Sequence, residues 1–97
     1  MLKIEFGSQG IVVVEGRLDA AQAATAQAFL DGVSGSVVLD CSALEYLSSA
    51  GLGVLLKTQK RLKVASGGLR LTGVNRHVHD IFRYAGFDQI FDIAPAP

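Results

Sequence analysis

The chain has a single cysteine, only two prolines and no surplus of charge of either sign. A lone Cys41 closes no internal disulfide, and no paired metal-type spacing accompanies it, which fits a reducing compartment. Nine lysines and arginines balance nine aspartates and glutamates, so no global field gathers nucleic acid, an anionic membrane or an acidic substrate. Any partner is met by local shape and chemistry. No segment approaches the ~20 apolar residues of a membrane-spanning helix. The opening MLKIEF lacks the long apolar run and small-residue cleavage site of a secretory signal. The expectation is a soluble, cytoplasmic protein that neither inserts into a membrane nor binds nucleic acid.

What is present is a core. With 97 residues, 49% hydrophobic and 19% charged, the chain is long enough for one well-filled domain and too short for two. Leu2 to Phe6 and Ile11 to Glu15 are short β-type runs separated by Gly7, Ser8, Gln9 and Gly10, which reads as a hairpin. After Gly16, Asp19 is placed to cap an alanine-rich helix over residues 20–30. Val37, Val38 and Leu39 form a run without alternation, as in a strand buried on both faces or central in its sheet. Cys41 to Leu47 reads as a connection anchored by Leu44 and Tyr46, and a long helix follows over residues 49–65. A strand over Leu69–Thr72 and a third helix carrying Val78, Ile81, Phe82 and Ala85 come next. A last short strand is expected over Ile90–Ile93, and residues 94–97 read as a flexible tail because Pro95 and Pro97 exclude regular structure. Strands alternating with helices after a hairpin predict an α/β domain with a mixed sheet and right-handed crossovers.

Few residues suggest chemistry. His77 and His79 are two apart on a helix, so their side chains diverge and do not converge on a metal. Cys41 has no nearby histidine and no elbow motif, which favours a buried structural thiol over a nucleophile. The glycine-rich loops around Gly7 and Gly67 lack the Gly-Lys-Ser/Thr ending of a phosphate cradle. Lys57, Lys60, Arg61 and Lys63 make the second half of the long helix basic, which complements its C-terminal dipole. Enzyme chemistry is not supported, and neither metal nor other cofactor is expected.

The most informative segment runs from Leu39 to Gly53, where a strand exit delivers two serines to a helix start. Ser48 as N-cap would accept a bond from a free first-turn amide, worth ~1 kcal/mol against alanine. Helical spacing sets Leu52, Leu55, Leu56 and Leu62 on one face and Ser49, Gly53, Lys57 and Lys60 on another. Ser49 therefore points away from the core, and a phosphate there would be favoured by the amides and dipole of the helix N-terminus. Gly51 and Gly53 each cost the helix up to ~1 kcal/mol. Two readings stand: Gly51 packs on the sheet with Gly53 incidental, or the glycines permit close docking of another protein.

Ser48-Ser49-Ala50-Gly51-Leu52-Gly53 resembles the Asp-Ser-(Ser or Thr)-Gly-Leu-Gly turn of the STAS domains that act as anti-sigma factor antagonists. Ser48 stands where that pattern often has Asp, and Ala50 where it often has a second hydroxyl. Gly16-Arg17-Leu18-Asp19 resembles the segment before the family's first helix. Leu71-Thr72-Gly73-Val74-Asn75, with Phe82, Gly86 and Phe91, resembles its closing strand-helix segment, so nearly the whole chain is covered. The resemblance implies a single STAS domain over 1–97 with helices packed mainly on one face of the sheet. It implies a non-enzymatic, phosphorylation-controlled module in a partner-switching cycle, whose partners are a serine-kinase anti-sigma factor and a serine phosphatase. Ser49 falls on the phosphate-accepting position, with Ser48 as the fallback. Asp19, Asp40, Ser48, Gly51, Gly53 and Lys57 are the expected partner contacts. The alternatives are a constitutive STAS adaptor in a membrane-transport or signalling assembly and, from another class, a small enzyme or nucleotide-binding domain.

Overall fold

The computed structural model describes residues 1–95. Strand β1 (Leu2–Phe6) and strand β2 (Val12–Leu18) are joined through a short 3-10 turn at Ser8–Gly10. Helix α1 (Ala23–Leu30), strand β3 (Ser36–Leu47), helix α2 (Ser49–Val64), strand β4 (Gly68–Val74), helix α3 (Arg76–Tyr84) and strand β5 (Asp92–Pro95) follow. The sheet order is β1-β2-β3-β4-β5, with β1 antiparallel to β2 and every later pair parallel. Each crossover advances one strand in the same direction, so right-handed connections bring all three helices to one face. Burial follows suit. Val12, Val14, Val37, Leu39, Cys41, Leu69 and Leu71 pack into one cluster with Leu55 and Leu62 of α2 and Val78 and Phe82 of α3. The alternate residues Val13, Glu15, Val38, Asp40 and Thr72 are half-buried, and Arg70 is exposed.

The largest departure from expectation is β3, which continues through the stretch read as a connection. Its pairing with β2 shifts register between Val13 and Glu15 and again between Gly16 and Arg17. Its buried positions consequently run Leu39, Cys41, Leu44, Leu47. The two-residue period becomes three, and this loss of alternation hides the strand from a periodicity argument. The Val37-Val38-Leu39 run lies in the central strand, yet Val38 is only half-buried, so the strand is covered on one face.

Strand β2 also outruns its expected end at Glu15. Gly16 has φ +91°, and the Met1 carbonyl lies against it while accepting a 2.8 Å hydrogen bond from the Arg17 amide. A side chain at 16 would be strained and would strike that carbonyl, so glycine lets the strand pass through where it was expected to break. Helix α1 begins at Ala23 and not at 20. The Asp19 carboxylate accepts from the Gln22 amide at 3.2 Å within a turn, while Gln22 occupies the N-cap without a side-chain cap. Strand β5 lies two residues later than expected. Ile93 pairs with Leu71 and Pro95 with Val74, so Ala94 and Pro95 belong to the sheet and not to a tail. Proline is tolerated there because β5 is an edge strand. The remainder of the expected tail, residues 96–97, lies outside the described residues.

Candidate functional site

The parallel strands β2 and β3 end side by side, and α2 starts at that corner. Ser48 is extended, and its backbone amide donates to the Leu18 carbonyl at 3.0 Å. Its Oγ accepts from the Gly51 amide at 3.1 Å, and its carbonyl accepts from the Leu52 amide at 2.8 Å. Ser48 is thus the N-cap, with its hydroxyl oxygen committed to a first-turn donor. Ser49, the first residue of α2, is exposed, and the first turn contains no acidic residue. The positive end of the helix dipole therefore has no carboxylate within its own first turn.

The two glycines part company. A Cβ built at Gly51 would come within 2.7 Å of Leu18 Cγ and 3.0 Å of Leu47 Cδ1, so this residue is where α2 rests on the ends of β2 and β3. Gly51 is buried, packed on the sheet as in the first of the two readings of the glycines. A Cβ at Gly53 would have no heavy atom within 4 Å. Ser49, Gly53, Lys57 and Lys60 are all exposed and form one ridge, above buried Leu52, Leu55 and Leu62 and half-buried Leu56. Lys57 lies two helical turns from Ser49, ~12 Å along the axis.

The two aspartates also separate. Asp19 directly follows Leu18, whose carbonyl holds the Ser48 amide, so it belongs to the same corner, half-buried and engaged with Gln22. Asp40 does not. It lies seven residues before the end of β3, ~23 Å back along a strand rising ~3.3 Å per residue, on the face without helices. Its Oδ1 accepts from Ser42 Oγ at 2.6 Å and from the Ser42 amide at 3.0 Å. These bonds stabilise the carboxylate and hold its pKa below the ordinary value. Asp40 shapes its own strand locally and stands apart from the serines.

Further side-chain contacts gather at this end. The Arg17 guanidinium lies 4.3 Å from the centre of the Tyr46 ring, and His77 stacks near the same ring at 6.4 Å. Asn75 caps α3, accepting from the Val78 amide at 2.8 Å, and its Nδ2 donates to the Leu44 carbonyl at 3.0 Å. The Arg17–Tyr46 pairing depends on the second register shift, so no regular spacing announces it. Cys41 is buried with its thiol pushed up to about 12, first by desolvation and then by the nearby Asp40 charge. That environment disfavours the thiolate a nucleophile requires.

With this geometry in place, the family described as "Mlab, STAS domain" matches residues 5–93. The chain belongs to the STAS-domain family. This STAS chain is 38% identical over 88 residues to BtrV of Bordetella bronchiseptica, a protein named provisionally as an anti-sigma factor antagonist, covering 87% of this chain and 76% of that protein. Its fold is shared with an anti-sigma factor antagonist from Mycobacterium paratuberculosis, with a TM-score of 0.76 and 24% identity over 98% of this chain and 85% of the other. The anti-sigma factor antagonist SpoIIAA in its unphosphorylated form superposes with a TM-score of 0.75 and 20% identity, over 97% of this chain and 88% of that one. Its phosphorylated form superposes with a TM-score of 0.68 and 19% identity, over 97% and 91%. These structural likenesses establish the STAS fold: a mixed five-stranded sheet with helices on one face.

Proposed function

We propose that this STAS domain is a phosphorylation-controlled anti-sigma factor antagonist of the cytoplasm, that Ser49 accepts the phosphate, and that its partners are a kinase-type anti-sigma factor and a resetting phosphatase. The observation that carries the reading is the division of labour between the serines. The Ser48 hydroxyl caps the helix, while Ser49 is exposed at the head of the Ser49-Gly53-Lys57 ridge. The names of BtrV and SpoIIAA, and the existence of SpoIIAA in phosphorylated form, support it.

Phosphorylation adds about −1.5 to −2 charges and strong acceptor oxygens. On Ser49 those oxygens meet the positive end of α2, so the fold tolerates them. A partner seated on the ridge would instead have to desolvate a dianion where it had accepted a hydroxyl. A loss of ~3 kcal/mol weakens binding roughly a hundredfold, enough to release the partner. Asp19, Gly53 and Lys57 are the residues of this chain placed to touch it.

Intact-mass spectrometry of the protein from its own cells, with phosphopeptide mapping, tests the reading. One phosphate on Ser49, absent from Ser49→Ala, is the expected result. Phosphate on Ser48 would reassign the acceptor. No phosphate under any growth condition, with stable co-purification of transport subunits, would establish the constitutive adaptor instead.

A further inference from the structure

Strand β1 is an edge of the sheet, and among the described residues it pairs with β2 alone, in a register unbroken from Leu2 to Phe6. The Arg17 amide donates to the Met1 carbonyl at 2.8 Å, and the Gly7 amide donates to the Ile11 carbonyl at 2.7 Å. An antiparallel ladder bonds every second residue, so between Met1 and Gly7 it is the backbone of Lys3 and Glu5 that faces β2. The amides and carbonyls of Leu2, Ile4 and Phe6 therefore point out of the edge. On the helix side of the sheet Leu2 and Ile4 lean on the core, and Phe6 stacks on Phe29 at 5.0 Å while remaining 60% exposed. The side chains of Lys3 and Glu5 lie exposed on the helix-free face.

The other edge is poorly suited to receive a strand. β5 has four residues, shifts register against β4 and carries Pro95, and short length, irregularity and proline are the usual means by which an edge refuses a further strand. β1 has no proline and no bulge. Its sequence also complements itself when reversed. Leu2-Lys3-Ile4-Glu5-Phe6 reads apolar, cation, apolar, anion, apolar. Turned about Ile4 against a copy of itself, it sets each Lys3 opposite a Glu5 and each Leu2 opposite a Phe6. A slip of two residues sets Lys3 against Lys3 or Glu5 against Glu5, which is unfavourable, and a slip of one sets outward backbone groups against inward ones. Within the chain Lys3 already meets Glu5 at 3.2 Å and Glu15 at 3.9 Å, all three well exposed. The charges therefore add little attraction and act by selecting one register; the drive comes from the open backbone groups and the uncovered Phe6 ring.

We infer that two copies of this chain pair through β1, antiparallel about a two-fold axis at Ile4, and join their five-stranded sheets into one. Leu2, Ile4 and Phe6 of each copy exchange about six backbone hydrogen bonds with Phe6, Ile4 and Leu2 of the other. The axis is perpendicular to the sheet, so the helices of both copies share one face, and each Phe6 ring is covered by the other copy's Leu2. The contact is isologous and uses up the edge that makes it, so it closes as a dimer. A single strand pair places it at the weak end of specific interfaces. Helix α2 packs on β3 and β4, away from this edge, so Ser49 stays exposed in both copies and the pairing does not depend on phosphorylation.

Sedimentation velocity of the unmodified chain from about 10 μM to about 1 mM is the first test, and the average mass is expected to rise towards that of a dimer and not beyond it. Ile4→Pro removes an outward amide and leaves the bonds to β2 in place, so it is expected to keep the parent circular dichroism and to stay monomeric. Lys3→Glu and Glu5→Lys each set like charges opposite one another and are expected to weaken self-association at least about tenfold. Mixed in equal amounts they are expected to associate again, because one copy then presents two glutamates on β1 and the other two lysines. Amide exchange at Leu2, Ile4 and Phe6 of the unmodified chain is expected to slow as its concentration rises, while α2 is unaffected. A monomer throughout that range overturns the inference. So does a mass that climbs past a dimer, a dimer that Ile4→Pro leaves intact, or charge variants that associate as tightly alone as mixed. If Ile4→Pro fails to fold, the exchange series decides: slowing at those three amides upholds the β1 contact, and slowing elsewhere without them overturns it.

Discussion

A methyl group added at residue 51 has nowhere to go, and one added at residue 53 meets nothing. Gly51→Ala would push α2 off Leu18 and Leu47, and overpacking of this kind costs roughly 1–3 kcal/mol. Gly53→Ala removes a flexible residue from an exposed helical position and is expected to stabilise by up to ~1 kcal/mol. Urea denaturation of both variants checks the opposite signs, which a shared docking role for the two glycines would not produce. Cys41 supports a second prediction at this scale. Its thiol stays protonated in the fold up to about 12, whereas an unfolded cysteine ionises near ~8.5. Between those values the unfolded chain has released a proton that the folded chain retains, so this group's contribution makes stability fall as pH rises through the window. A thiol reagent at pH 8 is expected to leave native Cys41 unmodified and to label it fully in denaturant.

Helix α2 is held by more than its apolar stripe. Gln59 is buried, its Oε1 accepting from the Leu69 amide at 2.7 Å and its Nε2 donating to the Ile90 carbonyl at 2.8 Å. One side chain thus joins α2, the start of β4 and the segment leading into β5. Gln59→Leu would leave both backbone groups without that partner, and each unsatisfied buried group costs roughly 1–3 kcal/mol. Chemical denaturation is expected to show that loss, and amide exchange is expected to accelerate at Leu69 ahead of the central strand. Such long-range amide pairings were invisible in the sequence, where Gln59 sits among lysines and reads as surface. The hairpin, the helix start at Ser49 and the exposed ridge were legible, because local turn chemistry and a 3.6-residue period specify them. The second half of β3 was not, since its register shifts erase the alternation on which a strand is recognised. The proline-bearing end of β5 was misread because an edge strand relaxes the rule against proline.

Every helix and the three central strands contribute to one hydrophobic cluster, and α3 and the segment before β5 meet through Phe82 and Phe91, edge to face at 5.2 Å between ring centres. A core without internal divisions in a chain this short is expected to unfold in a single cooperative step. Far-ultraviolet circular dichroism and the tyrosine near-ultraviolet signal are expected to give the same midpoint in urea, with the calorimetric and van't Hoff enthalpies in agreement. Separate transitions would mean that β5 and its approach come away before the rest.

Along α2 the inward positions are fixed by Leu18, Leu47 and the sheet, while the outward positions answer to nothing inside the molecule. Substitutions at 57 or 60 can accumulate while the core goes on selecting for the same residues beneath. On the proposed function, copies of such a domain could diverge in recognition at 57 and 60 with little change in melting temperature. Under that proposal, parallel circuits would be insulated from one another by drift along a single helical edge.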